Sequence, residues 1–397
     1  MNRIASARIQ LAVTAALSSL LASAAGMFGQ TVAPADPAQT AVALEQQGRT
    51  TEAEAAWKAV MKLHPRSADA YAHLGFLESR QEHYTEAVPY YRKALALNPA
   101  MPGLRMNLGL ALFKAGQLKD AVSIFALLLK TEPIASPDAQ RLTTLIGLAH
   151  YGLGEYAAAV PYLKKAAAYD PQSLPFRLAL AHSCLGAKQY PCVLDVYKEI
   201  LTLNAESAEA DMLAGEAMDA MQDHAGAIQQ FRAAVKANPN EPYVHFGLGY
   251  LLWTQNQYPE AAQEFQAELT NVPESAQAMA YLADTQMKVS QPEKALPLLQ
   301  NAIRINPKME LPHLDLGILR ADAGQREEAL AELNIAAKLS PDDFAVHYRL
   351  ARLLKSMGRQ QEAAVEFEKT NSLHKAASKT VHDQINAMTA REASKPQ

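Results

Sequence analysis

Proline recurs in this chain at intervals of 34 residues: Pro65, Pro99 and Pro133, then Pro171 after four extra residues, then Pro239, Pro273, Pro307 and Pro341. Ala205 and Lys375 fill the two slots that break the series. A fixed period of this length describes a stack of like supersecondary units, each packing on its neighbours, and not one closed core. Counting within a unit, position 8 is small: Gly75, Gly109, Gly147, Ala181, Gly215, Gly249, Ala283, Gly317 and Ala351. Position 20 is alanine at Ala53, Ala87, Ala121, Ala159, Ala227, Ala261, Ala295, Ala329 and Ala363, with Val193 the exception. Position 24 is large and apolar, from Trp57 and Tyr91 through Phe125, Phe231 and Phe265 to Phe367. Small residues at fixed offsets let two antiparallel helices approach, and proline ends the second of them. Each unit is therefore predicted to be a helical hairpin, with positions 8 and 20 facing each other at the crossing and position 24 filling the space below.

The ends of the chain depart from the period. Residues 1–24 read as a secretory signal peptide: Arg3 and Arg8 precede the apolar run Leu11 to Leu21, and Ala22-Ser23-Ala24 offers a cleavage site. That run is shorter than the ~20 residues a membrane span requires, so no stable span is expected after cleavage. Export to the periplasm, or secretion, follows as an expectation. Residues 25–36 form a flexible lead, with Asp36 set to cap a first helix and Pro37 at its first position. The insertion Ser136-Pro137-Asp138-Ala139 reads as a capped helix start that lengthens one helix by about a turn. Beyond Phe367, Leu373, Ala377, Val381, Ile385 and Met388 continue at helical spacing, predicting a capping helix over 376–392 and a disordered tail at 393–397.

Charge and composition exclude some functions. Cleavage would remove two arginines and no acid, leaving 35 basic against 41 acidic residues, a net charge of −6. With no basic excess to neutralise phosphates, nucleic acid is not an expected partner. There is no glycine-rich phosphate loop, no zinc-protease helix motif and no nucleophile elbow, so neither an enzyme nor a cofactor is expected. Among the histidines, His245, His313 and His347 share position 4, a packing position, and His182 has no second ligand in register; no metal site is expected. Cys184 and Cys192 are the two cysteines. In an exported chain they can pair, and closing so short a loop would contribute about 2–3 kcal/mol. Against this, Cys192 sits where side chains usually point outward and Cys184 where they point inward. The disulfide and two free thiols stand level.

Large residue at 4, Leu-Gly at 7 and 8, Ala at 20, aromatic at 24 and Pro at 32: this pattern, held over ten consecutive units, resembles the tetratricopeptide repeat family. The resemblance implies an all-α fold, a right-handed superhelical solenoid over 37–375 with units ending near 65, 99, 133, 171, 205, 239, 273, 307, 341 and 375. It also implies a concave surface lined by the first helix of each unit at positions 2, 5, 9 and 12, where an extended peptide or partner protein would lie. In this chain those positions hold Phe76, then Met106, Leu110 and Phe113, then Leu148 and Tyr151, an acidic step at Glu209, Glu216 and Asp219, and later Leu314, Ile318, Tyr348 and Arg352. The seventh unit has Tyr243, Phe246, Tyr250 and Trp253. Four aromatics on one helix face, away from the hairpin-packing Leu248, Gly249 and Leu252, make this the sharpest candidate contact, because aromatic rings bury much area at few rotors. The clamp for C-terminal carboxylates seen in some members uses Lys, Asn and Arg in the groove. Here positions 5 and 9 are mostly apolar, and basic residues are scattered at Arg80, Lys114 and Arg141. The reading is a monomeric, non-catalytic scaffold or adaptor for a protein or extended peptide; its alternative is the substrate-recognition arm of a separately encoded enzyme, such as a glycosyltransferase.

Overall fold

The computed structural model describes residues 36–393, and of 377–393 only the helical backbone. The predicted signal peptide of 1–24, the predicted lead up to residue 35 and residues 394–397 of the predicted tail lie outside the described residues, as do the side chains of the predicted capping helix from residue 377 on; Ala393, expected in the tail, ends the last helix. Twenty helices and no strand occupy what is described.

The helices fall into two compact units. The first holds α1 (Pro37–Gln46), α2 (Thr50–Leu63), α3 (Ala68–Arg80), α4 (Tyr84–Leu97), α5 (Leu104–Lys114), α6 (Leu118–Leu129), α7 (Pro137–Gly152), α8 (Tyr156–Tyr169), α9 (Leu174–Gly186), α10 (Tyr190–Leu203) and α11 (Ala208–Ala220). The second, starting at Asp223, holds α12 (His224–Ala237), α13 (Val244–Thr254), α14 (Tyr258–Asn271), α15 (Ala276–Lys288), α16 (Pro292–Ile305), α17 (Glu310–Asp322), α18 (Arg326–Leu339), α19 (Phe344–Ser356) and α20 (Gln360–Ala393). Inside each unit every helix packs on the next in sequence, and first helices of successive hairpins also touch, as α3 on α5 and α13 on α15 do. α20 runs unbroken through the last predicted hairpin arm and on over the stretch predicted to cap.

Helix starts follow the sequence closely. Asp36 accepts from the Ala38 N–H at 3.1 Å ahead of Pro37. Ser136 accepts from the Ala139 N–H at 3.0 Å, and α7 runs to 16 residues where most first helices have 13 or fewer. Pro89, Pro161 and Pro297 sit inside α4, α8 and α16, all exposed to solvent.

The hairpin turns ask more of the backbone than their varied sequence suggests. Gly48, Gly116, Gly154, Gly324 and Gly358 have φ between 72 and 78°, and at the same position Glu82, Lys188, Gln222, Asn256 and Ser290 have φ of 58–68°. Turn after turn, the following N–H reaches back to the carbonyl five residues earlier, as in Gln117 to Leu112 and Gln257 to Leu252. This is the hydrogen bond of a left-handed helix cap, which satisfies an otherwise orphan carbonyl. The turn tolerates residues other than glycine, but at the cost of a left-handed L-residue.

The crossing also differs from the simple small-against-small expectation. A Cβ built on Gly75 would meet the Tyr91 ring at 2.8 Å, one on Gly109 the Phe125 ring at 2.5 Å and one on Gly249 the Phe265 ring at 2.9 Å. Position 8 is small because the position-24 side chain lies directly on it. The position-20 alanines are fully enclosed all the same, from Ala53 to Ala329 at 0% exposure. Trp57, Tyr91, Phe125 and Phe265 are among the largest fully buried side chains.

Candidate functional site

α13 has an N-terminus with an unusual support. Tyr243, its N-cap residue, has φ of 68°, a left-handed conformation in which a bulky side chain is strained. The Glu268 carboxylate, wholly buried on α14, accepts from the backbone N–H groups of Tyr243 at 3.0 Å and Phe246 at 3.1 Å. An acid at the positive end of the helix dipole satisfies two orphan donors at once. Burial pushes the Glu268 carboxyl upward, and the N–H bonds from Phe246 and Tyr243 pull the other way.

From this fixed start α13 presents its rings. Phe246 and Tyr250 stack with centroids 6.4 Å apart, and Tyr250 and Trp253 follow at 6.1 Å. Tyr281, on α15, meets all three edge-on at 5.7, 5.5 and 5.2 Å. The Trp253 indole N–H donates to Asp284 Oδ2 at 2.5 Å, which ties the outer ring to the same neighbouring helix. Tyr250 stays 37% exposed, while Phe246, Trp253 and Tyr281 are half-buried. Burial, and after it the nearby Tyr250 and Asp284, push the Tyr281 hydroxyl up to about 12, so it remains a hydrogen-bond donor at any physiological pH. The predicted stripe is thus a ladder of three rings with a fourth set across it. Tyr243 is not a rung: it precedes the helix, and its part is in the helix start.

The other predicted contact residues divide by depth. Phe113 and Tyr151 are 5 and 8% exposed and belong to the cores of the first unit, Phe113 lying 6.5 Å from Phe125. They have little surface to offer a partner. Phe76 and Tyr348 are 39 and 43% exposed, each with an arginine over its ring, Arg80 at 5.8 Å and Arg352 at 5.9 Å. Met106, Leu110, Leu314 and Ile318 are half-buried. In the acidic step, Glu209 meets His182 Nε2 at 2.8 Å, Glu216 is half-buried with its carboxyl pushed up by burial, and Asp219 is half-buried. Those acids are engaged within the fold and do not form an open negative wall.

Two further predictions resolve into contacts. His245, His313 and His347 are buried, and each places Nδ1 at 2.6 Å from a glutamate on the second helix of its hairpin, Glu264, Glu332 and Glu366. They brace hairpins, and no group of three or more metal-ligating side chains occurs among the described residues. Cys184 and Cys192 form a disulfide, with Cα atoms 5.8 Å apart across the turn between α9 and α10. Of the two open readings of the cysteines, the structure has the first. No described helix is long and apolar enough to cross a membrane.

Sequence reasoning missed Tyr281, Asp284 and Glu268. Tyr281 stands at position 6 of its unit, outside the 2, 5, 9 and 12 stripe, where His73, Asn107 and Asp315 also stand. Asp315 is 2% exposed, its carboxyl driven well above the ordinary range by burial and then by Asp284. Adding position 6 to the stripe would have found Tyr281; Asp284, at position 9, already lay on it, and Glu268, at position 27 of the second helix, lies beyond any such stripe.

Residues 39–67, 80–146, 141–173, 194–242, 212–276, 246–310 and 314–370 match the tetratricopeptide repeat. The chain belongs to the tetratricopeptide repeat family, whose arrays bind proteins or peptides. Among curated proteins it is similar to the BBSome complex member BBS4 of Bos taurus, 23% identical over 288 residues, 72% of this chain and 54% of that protein. It is similar also to the Protein CTR9 homolog of Arabidopsis thaliana, 21% identical over 70% of this chain and 26% of that one. The chain spans about half the length of the first and a quarter of the second. Among solved structures, YrrB, described as a TPR protein with an unusual peptide-binding site, matches at 19% identity and a TM-score of 0.38 over 47% of this chain and 97% of that one. The APC/C hetero-tetramer Cut9-Hcn1 matches at 17% identity and a TM-score of 0.49 over 78% and 60%.

Proposed function

We propose that this protein is a non-catalytic scaffold or adaptor that holds an extended peptide or partner segment against the first helices of its hairpins. The anchor is the ring ladder of Phe246, Tyr250 and Trp253 crossed by Tyr281. One observation carries the reading: Tyr250 is 37% exposed although it touches three other rings, so an aromatic side chain is held by its neighbours with part of its face open. Rings fixed before binding lose little entropy on contact, which is why such groups dominate interface energetics. Family membership supports the class of partner.

The chain is proposed to act as a monomer in the periplasm or outside the cell, the setting its first 24 residues suggest. Partner recovered with the full-length protein from its native host should fall roughly tenfold in Tyr250→Ala, the 1–2 kcal/mol typical of an interface aromatic. Undiminished recovery would reject the ladder as anchor. An enzyme as the recovered partner would turn the adaptor into that enzyme's recognition arm.

A further inference from the structure

A cavity of about 280 Å³ opens in the first unit among α1, α3 and α5, lined by Glu45, His73, Phe76, Met101, Leu104 and Asn107, with Ala72 and Pro102 completing the wall. It is smaller than the ~300–1,000 Å³ of ordinary small-molecule sites. One large side chain of a partner can enter it.

Its chemistry is one-sided. The floor is apolar: Phe76, Met101, Pro102 and Leu104. At its polar end Glu45 is held in place, since Oε2 accepts from the Trp57 indole N–H at 3.1 Å and meets His73 Nδ1 at 2.9 Å. The Trp57 and His73 rings in turn stack at 4.2 Å with only 8° between their planes. A ring nitrogen facing a carboxylate must be the donor, so His73 Nδ1 carries a hydrogen toward Glu45. Both hydrogen bonds of Glu45 fall on Oε2, and among the described residues Oε1 has none. The lining therefore offers Glu45 Oε1 and Asn107 Oδ1 as acceptors, and no lysine or arginine shares it. A pocket with a carboxylate, surplus acceptors and an apolar floor asks for a long apolar stem ending in a multidonor cation.

We propose that this cavity takes an arginine side chain from the extended partner segment, an inference that rests on the peptide-in-groove reading and adds a specificity to it. The stem lies over Met101 and Leu104, the guanidinium reaches Glu45 Oε1, and the Phe76 ring flanks it. Arginine suits the site better than lysine because its planar, weakly hydrated head stacks on rings and can use several acceptors at once. Arg80 already stands over Phe76, its Cζ 5.8 Å from the ring centroid, without entering the lining. The ring is thus compatible with a guanidinium neighbour, and Arg80 is also a positive charge beside the cavity that would compete with an incoming one.

The test uses the full chain and acetylated, amidated pentapeptides of the form Ala-Leu-X-Leu-Ala, with X arginine, lysine, citrulline or leucine, titrated by NMR on the indole N–H signals of Trp57 and Trp253. Citrulline has the shape of arginine without its charge. The arginine peptide is expected to shift the Trp57 signal and to bind at least tenfold more tightly than the citrulline peptide. Glu45→Gln, which keeps an oxygen for the Trp57 N–H, should erase that advantage while leaving citrulline binding unchanged. Arg80→Gln should strengthen arginine binding about twofold to threefold. Equal affinity for arginine and citrulline, or an advantage that survives Glu45→Gln, would overturn the proposal. Peptides that shift Trp253 but never Trp57 would overturn it too, while sustaining the groove reading; peptides that shift neither would count against both.

Discussion

The third and seventh hairpins, α5 with α6 and α13 with α14, start from the same backbone and finish with different surfaces. Each first helix has 11 residues and begins behind a left-handed residue, Gly103 at φ 71° and Tyr243 at φ 68°. Each has a position-8 glycine under a phenylalanine, Gly109 under Phe125 and Gly249 under Phe265. In the third, the large inner-face residue Phe113 sinks into the core. In the seventh, Glu268 binds the helix start, where the corresponding residue of the third is Leu128, and the rings that follow stand against Tyr281 with Tyr250 open to solvent. Hydrophobic residues at equal repeat positions are therefore not equal candidates for binding. What separates them is whether the neighbouring helix supplies a wall, as Tyr281 and Asp284 do, or a void to be filled.

The largest effect should come from the third hairpin. Phe113→Ala removes a 5%-exposed ring from the core of the first unit and should cost about 3–5 kcal/mol, read as a fall in the urea midpoint. A cost near that of a surface change would mean that Phe113 is a contact residue after all, and the contrast between the hairpins would collapse.

Next is Glu268→Leu, which gives the seventh hairpin the residue of the third. Two helix-start N–H groups lose a buried acceptor, and the second unit should lose about 2 kcal/mol. The pH dependence has a definite sign. Folding raises the Glu268 carboxyl above its unfolded value, so its contribution is full below the ordinary glutamate range and declines as pH rises through the folded value. The penalty of the substitution should therefore be greater at pH 4 than at pH 8, and urea titrations at both would show it.

Tyr250→Ala should cost about 1 kcal/mol of stability, since its ring has three aromatic neighbours yet is over a third exposed. A fall approaching that of Phe113→Ala would place it in the core. The smallest effect is Tyr243→Gly, which relieves a left-handed tyrosine and should raise stability by somewhat less than ~1 kcal/mol, with Gly103→Tyr moving the other way by at least as much.

The hairpins themselves were legible because their signals are local and periodic. Pro65 to Pro341 end helices, Asp36 and Ser136 cap them, and position-20 alanines mark enclosure whatever the neighbour. The left-handed turn was half-legible: glycine announces it at Gly48, while Glu82 or Lys188 in the same place shows that tertiary packing overrides the preference. The site was less so. Whether Phe113 or Phe246 faces a partner depends on what the adjacent helices bring, and Glu268 meets Tyr243 across 25 residues with no spacing rule to announce it. The pairing of Cys184 with Cys192 likewise turned on backbone positions that outward and inward labels do not resolve.

The ladder as working surface is the central claim, and site-specific photocrosslinking in the native host tests it most directly. A crosslinking residue at Tyr250 is compared with one at Lys294, exposed on α16, and the adducts are identified by mass spectrometry. One protein captured from position 250 and absent from position 294 is the predicted result. The same mixture from both positions, or no adduct from either, would contradict it.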